Sequence, residues 1–214
     1  MTRVAAFDCG TNSLRLLVAD LDAGRLVDVE RTMRVVRLGE GVDRTGRLAP
    51  QALRRTLAVV AEYADRCRGL GVERLRFVAT SATRDAENRA EFVDGVRSLL
   101  GVEPEVVPGP EEARLAFRGA TSELAEDGLT GPFVVVDIGG GSTEVVRGGG
   151  TGTEPAIEAA RSVDVGCVRL TERHLSTDPP TAAQIQAAQA DVAVALADVA
   201  GSVATLYGPA DLPS

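Results

Sequence analysis

A chain of 214 residues is long enough for one large domain or two small ones, each with its own hydrophobic core. Hydrophobic residues make up 44% and charged residues 25%, near globular averages, and no apolar run approaches the roughly 20 residues of a membrane-crossing helix. The formal net charge of −8 supplies no global basic field for nucleic acid or anionic lipid, so a polyanion has to be held locally, by glycine-rich backbone, chosen arginines and a divalent cation.

Two absences narrow the chemistry. All 23 basic residues are arginine, which excludes Walker A phosphate loops and Schiff-base lysines. His174 is the only histidine, which excludes multi-histidine zinc sites; it reads as an exposed helix-end residue. Cys9, Cys67 and Cys167 are odd in number and form no CxxC pair, so neither a disulfide framework nor a cysteine zinc site is indicated. The amino terminus enters an apolar stretch at once, without the pattern of a secretory signal, and the expected location is the cytoplasm.

In chain order, the apolar Val4-Ala5-Ala6-Phe7, the run from Leu14 to Ala19 and the alternating Leu26-Val27-Asp28-Val29-Glu30 predict three antiparallel strands with tight turns. Arg34 to Leu38 is a further edge candidate. Pro50 opens a helix in which Leu53, Leu57, Val60, Ala61 and Ala64 recur at helical spacing, ending near Gly69. A short strand at Leu75-Arg76-Phe77-Val78-Ala79, a helix over 87–100, a strand at Glu105-Val106-Val107 and a helix from Glu111 follow. Thr181-Ala182-Ala183-Gln184 has the form of a capping box and predicts a helix to about Ala200, with a turn and strand after it.

The first strand pair recurs after the polar linker Glu126-Asp127-Gly128. Phe133-Val134-Val135-Val136-Asp137-Ile138-Gly139-Gly140-Gly141-Ser142-Thr143-Glu144-Val145-Val146 repeats the plan of Ala5-Ala6-Phe7-Asp8-Cys9-Gly10-Thr11-Asn12-Ser13-Leu14: an apolar strand, Asp-x-Gly, a small polar turn with Ser, and a second strand. Duplicated halves with a boundary near residue 128 are therefore expected, residues 1–128 forming the first and 129–214 the second. Glycine lets successive N–H groups approach phosphate oxygens, hydroxyls donate further bonds, and an aspartate can position hydrated Mg²⁺ against the same phosphate. Two such facing turns would make a phosphate clamp.

Four segments in order resemble the exopolyphosphatase/guanosine pentaphosphatase family of the actin-like ATPase superfold: Phe7-Asp8-Cys9-Gly10-Thr11-Asn12-Ser13, Ala79-Thr80-Ser81-Ala82-Thr83-Arg84-Asp85-Ala86-Glu87-Asn88, Gly109-Pro110-Glu111-Glu112-Ala113-Arg114-Leu115 and Asp137-Ile138-Gly139-Gly140-Gly141-Ser142-Thr143-Glu144. The resemblance covers about the first 175 residues, through Arg161-Ser162-Val163-Asp164-Val165-Gly166-Cys167-Val168-Arg169-Leu170-Thr171-Glu172. It implies an α/β protein of duplicated actin-like (ribonuclease H-like) domains, with mixed sheets, flanking helices and a second domain truncated at its end.

By the same resemblance Glu112 would be the general base that activates water, and Asp137, Glu144 and Asp8 would serve Mg²⁺. Arg84 and Asn88 would contact phosphate, and Asn12, Ser13, Gly140, Gly141, Ser142 and Thr143 would bind substrate from the two turns. The implied activity is Mg²⁺-dependent removal of the terminal phosphate of inorganic polyphosphate, with guanosine pentaphosphate as the alternative substrate and a homodimer also allowed; nucleic acid and membrane are not expected partners. A phosphate-chain binding remnant without turnover stands beside these readings. Two departures from the family pattern stand out: prolines at 108 and 110 before the Glu111-Glu112 pair, and a second half shorter than the resemblance implies, which would be expected to expose apolar surface.

Overall fold

The computed structural model of the chain describes residues 1–122, 124, 128–129, 131–149 and 156–203. It divides into two units, Met1–Val107 and Pro108–Ser214. Of the linker read at 126–128, only Gly128 is among the described residues.

The first unit grows from an antiparallel meander, β1 (Thr2–Cys9), β2 (Ser13–Asp22) and β3 (Arg25–Val35). Period-two alternation sends Ala5, Phe7 and Cys9 of β1 and Leu14, Leu16 and Val18 of β2 to one face, where all six are buried. A short helix α1 (Val42–Thr45) leads to α2 (Pro50–Gly69), whose proline sits in the first turn where no N–H is needed. The chain returns as β4 (Arg74–Ala79), parallel to β1, then α3 (Ser81–Asp85), α4 (Arg89–Leu100) and β5 (Glu105–Val106), parallel to β4. The sheet order β3-β2-β1-β4-β5 is that of a ribonuclease H-like domain. The core lies between the sheet and the helices α2 and α4: Phe7 stacks on Phe77 at 5.3 Å and meets Tyr63, and Phe77 meets Phe92 edge-on. The helix expected over 87–100 is α4, and extended Ala86 separates it from the short α3, an element the sequence reading does not assign.

The second unit begins with α5 (Gly109–Thr121), two residues ahead of the expected Glu111. Its Pro110 lies in the first turn, and the Pro108 carbonyl accepts the N–H groups of both Glu111 and Glu112 at 3.0 Å. Then come β6 (Phe133–Ile138), β7 (Thr143–Gly149) and β8 (Ala156–Val163), all antiparallel in the order β6-β7-β8. Ala113 and Phe117 of α5 pack on Val146, with Phe133, Val135, Ile157 and Ala160 around them. The unit continues through α6 (Cys167–His174) and α7 (Ala182–Val203). Thr181 and Gln184 cap α7 reciprocally, Thr181 N–H donating to Oε1 at 2.9 Å and Gln184 N–H to the threonine hydroxyl at 3.3 Å, as the capping-box reading expected. The helix runs through Val203, past the expected end, and the turn-and-strand reading beyond it falls outside the described residues.

The duplication holds at the level of the backbone. Adding 129 to each residue number of the first hairpin gives the second: Asp8 faces Arg15 as Asp137 faces Glu144, and Gly10 N–H closes on the Ser13 carbonyl at 3.0 Å as Gly139 N–H closes on that of Ser142 at 2.9 Å. The third strand of each meander carries one extra residue, Val29 and Glu158, at the equivalent place. The fold is therefore the duplicated actin-like one. Val134, Val136 and Ile138 of β6 are exposed, whereas their counterparts Ala5, Phe7 and Cys9 are buried.

Candidate phosphate and carboxylate site

In the first unit the turn between β1 and β2 is tied to α3 through the Thr11 and Ser81 hydroxyls, 2.9 Å apart and buried. Asn12 and Ser13 lie on this turn, half-buried. Gly39 N–H donates to the Thr11 carbonyl, and the N–H groups of Val36 and Arg37 both donate to that of Asn12, each at 2.9 Å. Arg84, at the end of α3, donates from Nη1 to the Val107 carbonyl at 2.9 Å, and its side chain keeps 23% of its surface exposed. Asn88 spends its amide within the protein: Oδ1 accepts Leu48 N–H at 2.8 Å, and Nδ2 donates to the Leu48 carbonyl and to Glu91. That arrangement latches the segment before α2 to the start of α4. Asp8 is bridged to Arg15 at 3.1 Å. Burial, and secondarily the charge of Asp8, push the Cys9 thiol far up, so it is held as the neutral thiol and is a small filler.

In the second unit the β6–β7 turn is Gly139-Gly140-Gly141-Ser142. The N-terminal end of α6 takes its carbonyls: Cys167 N–H donates to Gly139, and the N–H groups of Val168 and Arg169 donate to Gly140 at 2.9 and 3.1 Å. Gly166 makes this approach geometrically allowed, since a Cβ there would lie 2.5 Å from the Gly140 carbonyl atoms and 2.6 Å from Gly141 N. A trans peptide points its N–H opposite its C=O. Gly140 and Gly141 therefore turn their N–H groups away from α6, and among the described residues the N–H groups of Gly140, Gly141 and Ser142 have no acceptor. Successive N–H groups turned one way form an anion-binding concavity. Thr143, next in line, is committed to the Val165 carbonyl through its hydroxyl at 2.6 Å.

The stem of this turn is acidic. Asp137 is exposed and lies directly across the ladder from Glu144, which is only 1% exposed. Ser162 of β8 donates to Glu144 Oε1 at 2.7 Å. The start of α5 reaches the same serine, for a Cβ on Gly109 would sit 2.7 Å from its Oγ. Three residues along that helix stands Glu112, half-buried in the first turn, where the positive end of the macrodipole favours a carboxylate. Like charges directly opposite in a ladder are destabilising, and the Asp137–Glu144 pair consists of hard oxygen donors suited to Mg²⁺, which takes one or two carboxylates and completes its shell with water and phosphate. Among the described residues no set of three or more His, Cys, Asp or Glu side chains is assembled around a metal position. The pair thus fits Mg²⁺ held partly by solvent and substrate, and does not fit an all-protein cage.

Sequence reasoning gave no role to Gly109, Ser162, Gly166 or Arg169. The signal was a glycine at each end of a contact between segments far apart in sequence, which only the backbone geometry reveals. His174 does end a helix, but it is partly buried, with Nε2 2.8 Å from Asp191 Oδ2 of α7. Two surface grooves lie elsewhere, one along α7 (Leu175, Ile185, Val192, Leu196) and one on the first sheet (Val4, Ala6, Leu17, Leu26), and both are largely apolar. Among the described residues no helix is long and apolar enough to cross a membrane.

The Ppx/GppA phosphatase family model matches residues 17–209. Exopolyphosphatase 2 of Mycobacterium tuberculosis is 51% identical over 198 residues, 88% of this chain and 60% of that protein. The chain thus spans about 60% of the length of the curated relatives it matches. Among solved structures, an exopolyphosphatase-like protein shares 50% identity with a TM-score of 0.87, over 94% of this chain and 62% of the other. An exopolyphosphatase from Cytophaga hutchinsonii shares 25% identity with a TM-score of 0.83, over 96% and 64%.

Proposed function

The chain belongs to the Ppx/GppA phosphatase family, and from that premise we propose that it is a Mg²⁺-dependent exopolyphosphatase that removes terminal phosphate from inorganic polyphosphate. The observation that carries the reading is the glycine turn 139–142, three of whose successive N–H groups point away from α6 and have no acceptor among the described residues, beside an acidic stem. The name of the Mycobacterium tuberculosis relative favours polyphosphate over guanosine pentaphosphate.

In this mechanism the N–H groups of Gly140, Gly141 and Ser142 bind oxygens of the terminal phosphoryl group. Arg84 at the end of α3 binds further phosphate oxygens through its guanidinium. Asn12 and Ser13 contribute the first turn. Glu112 accepts one proton from a water whose oxygen bonds to the terminal phosphorus as the bridging P–O bond breaks, releasing orthophosphate and a chain shorter by one. Asp137 and Glu144 would hold Mg²⁺, which when bound supplies neutralisation of the phosphate oxygens. Asp8 is already neutralised by Arg15, so the metal is assigned to the second hairpin.

The test is phosphate release from polyphosphate by the 214-residue chain with and without Mg²⁺. Glu112→Gln should lower Mg²⁺-dependent release by at least about a hundredfold while tripolyphosphate binding stays within a factor of about two. Equal release by the variant, or no metal-dependent release by the folded wild-type chain, overturns the assignment.

A further inference from the structure

The third N–H of the glycine turn that points away from α6, that of Ser142, is fixed by a side chain. Its peptide carbonyl, on Gly141, accepts Arg169 Nε at 2.7 Å. The Arg169 side chain is 12% exposed, with Asp164 Oδ1 4.0 Å from its Nη2. The two preceding carbonyls are held by backbone N–H groups of α6. In the first hairpin the equivalent carbonyl, on Asn12, is held by the backbone N–H groups of Val36 and Arg37. The same orientation is thus produced by main chain in one half and by a guanidinium in the other.

We infer that Arg169 is a positioning residue for phosphate recognition: it rotates the Gly141–Ser142 peptide so that Ser142 N–H is presented to a phosphate oxygen, without touching that phosphate itself. The inference rests on the phosphate-binding reading of the turn. A charged donor on the carbonyl also polarises the peptide and strengthens its N–H as a donor. Arg169 sits two residues past the start of α6, and its own N–H and its side chain hold successive carbonyls of one turn.

The experiment is a titration of the ¹⁵N-labelled full chain with imidodiphosphate, whose P–N–P bridge resists hydrolysis, following the amides of Gly140, Gly141 and Ser142. In the wild type all three should move and saturate together. In Arg169→Ala the movement at Ser142 should be lost while Gly140 and Gly141 still respond, with affinity reduced about tenfold. Arg169→Lys, which retains a charged donor, should restore part of the Ser142 response, and it also serves if the alanine variant fails to fold. A Ser142 amide that moves in Arg169→Ala as in the wild type overturns the inference and leaves the phosphate reading standing. So does a uniform loss at all three amides accompanied by a lowered melting temperature. No movement of any turn amide in the wild type overturns the phosphate reading and the inference with it.

Discussion

The two hairpins, 8–15 and 137–144, share register, closing hydrogen bond and downstream bulge, yet differ at the residue pair that stems the turn. Asp8 faces an arginine and Asp137 faces a glutamate. The first is an exposed ion pair; the second sets two carboxylates opposite each other, one exposed and one buried and accepting a hydrogen bond from Ser162. Duplication thus preserved the backbone device and let the charge at its stem diverge. The turns diverged in the same way: Thr11 and Asn12 bring side chains to the first, whereas glycine at the matching positions leaves the second as bare backbone.

The comparison is broken most severely at the glycines that let the third connection close on each turn. Gly166→Ala would drive a Cβ into the Gly140 and Gly141 backbone, which has no rotamer to yield, and should destabilise by about 3 kcal/mol; Gly39→Ala meets the Thr11 and Ala82 side chains and should cost about 1 kcal/mol. Equal midpoints for the two variants in urea unfolding would deny that the turns differ in rigidity.

The stems give the next contrast. Ser162→Ala removes a hydrogen bond to a buried carboxylate and should cost about 2 kcal/mol. Arg15→Ala opens an exposed pair and should cost less than about 0.5 kcal/mol. Denaturant midpoints of both variants decide this, and a larger loss for Arg15 would reverse the ranking of the two halves.

Acid sharpens the picture within the first unit alone. The Arg3 hydrogen bond holds the Asp20 carboxyl below its ordinary range. Because the folded value is the lower one, its stabilisation is complete above the unfolded carboxylate pKa and is lost as pH falls through the lowered one. The melting temperatures of wild type and Asp20→Asn should therefore differ by a few degrees at pH 7 and converge once the pH has fallen through the lowered carboxyl pKa. A gap that persists at low pH would assign the effect to packing.

Much of this was legible from local pattern. Strand alternation, Pro50 at a helix start, the Thr181–Gln184 box and the repeated Asp-x-Gly turn are short-range signals, and the elements they predict are present. What escaped was long-range. The segment 163–169 was visible as part of the resemblance, but nothing in its composition says that its N–H groups fold back onto residues 139–141, or that Ser162 reaches Glu144. Likewise Asn88 in its motif reads as a phosphate ligand, whereas its amide is engaged by Leu48, a residue 40 positions away whose hydrogen-bonding demand no local reading discloses.

The paired bulges at Val29 and Glu158 bear on how these halves could be recombined. Side chains in a strand alternate faces, so the extra residue resets which side everything beyond it occupies. Since both meanders carry it at the same step, a graft of one meander onto the other would arrive in phase, with inward positions still inward along its whole length. Deleting Glu158 from such a chimera would turn over the far end of the transplanted strand, and with it the side chains meant for α5.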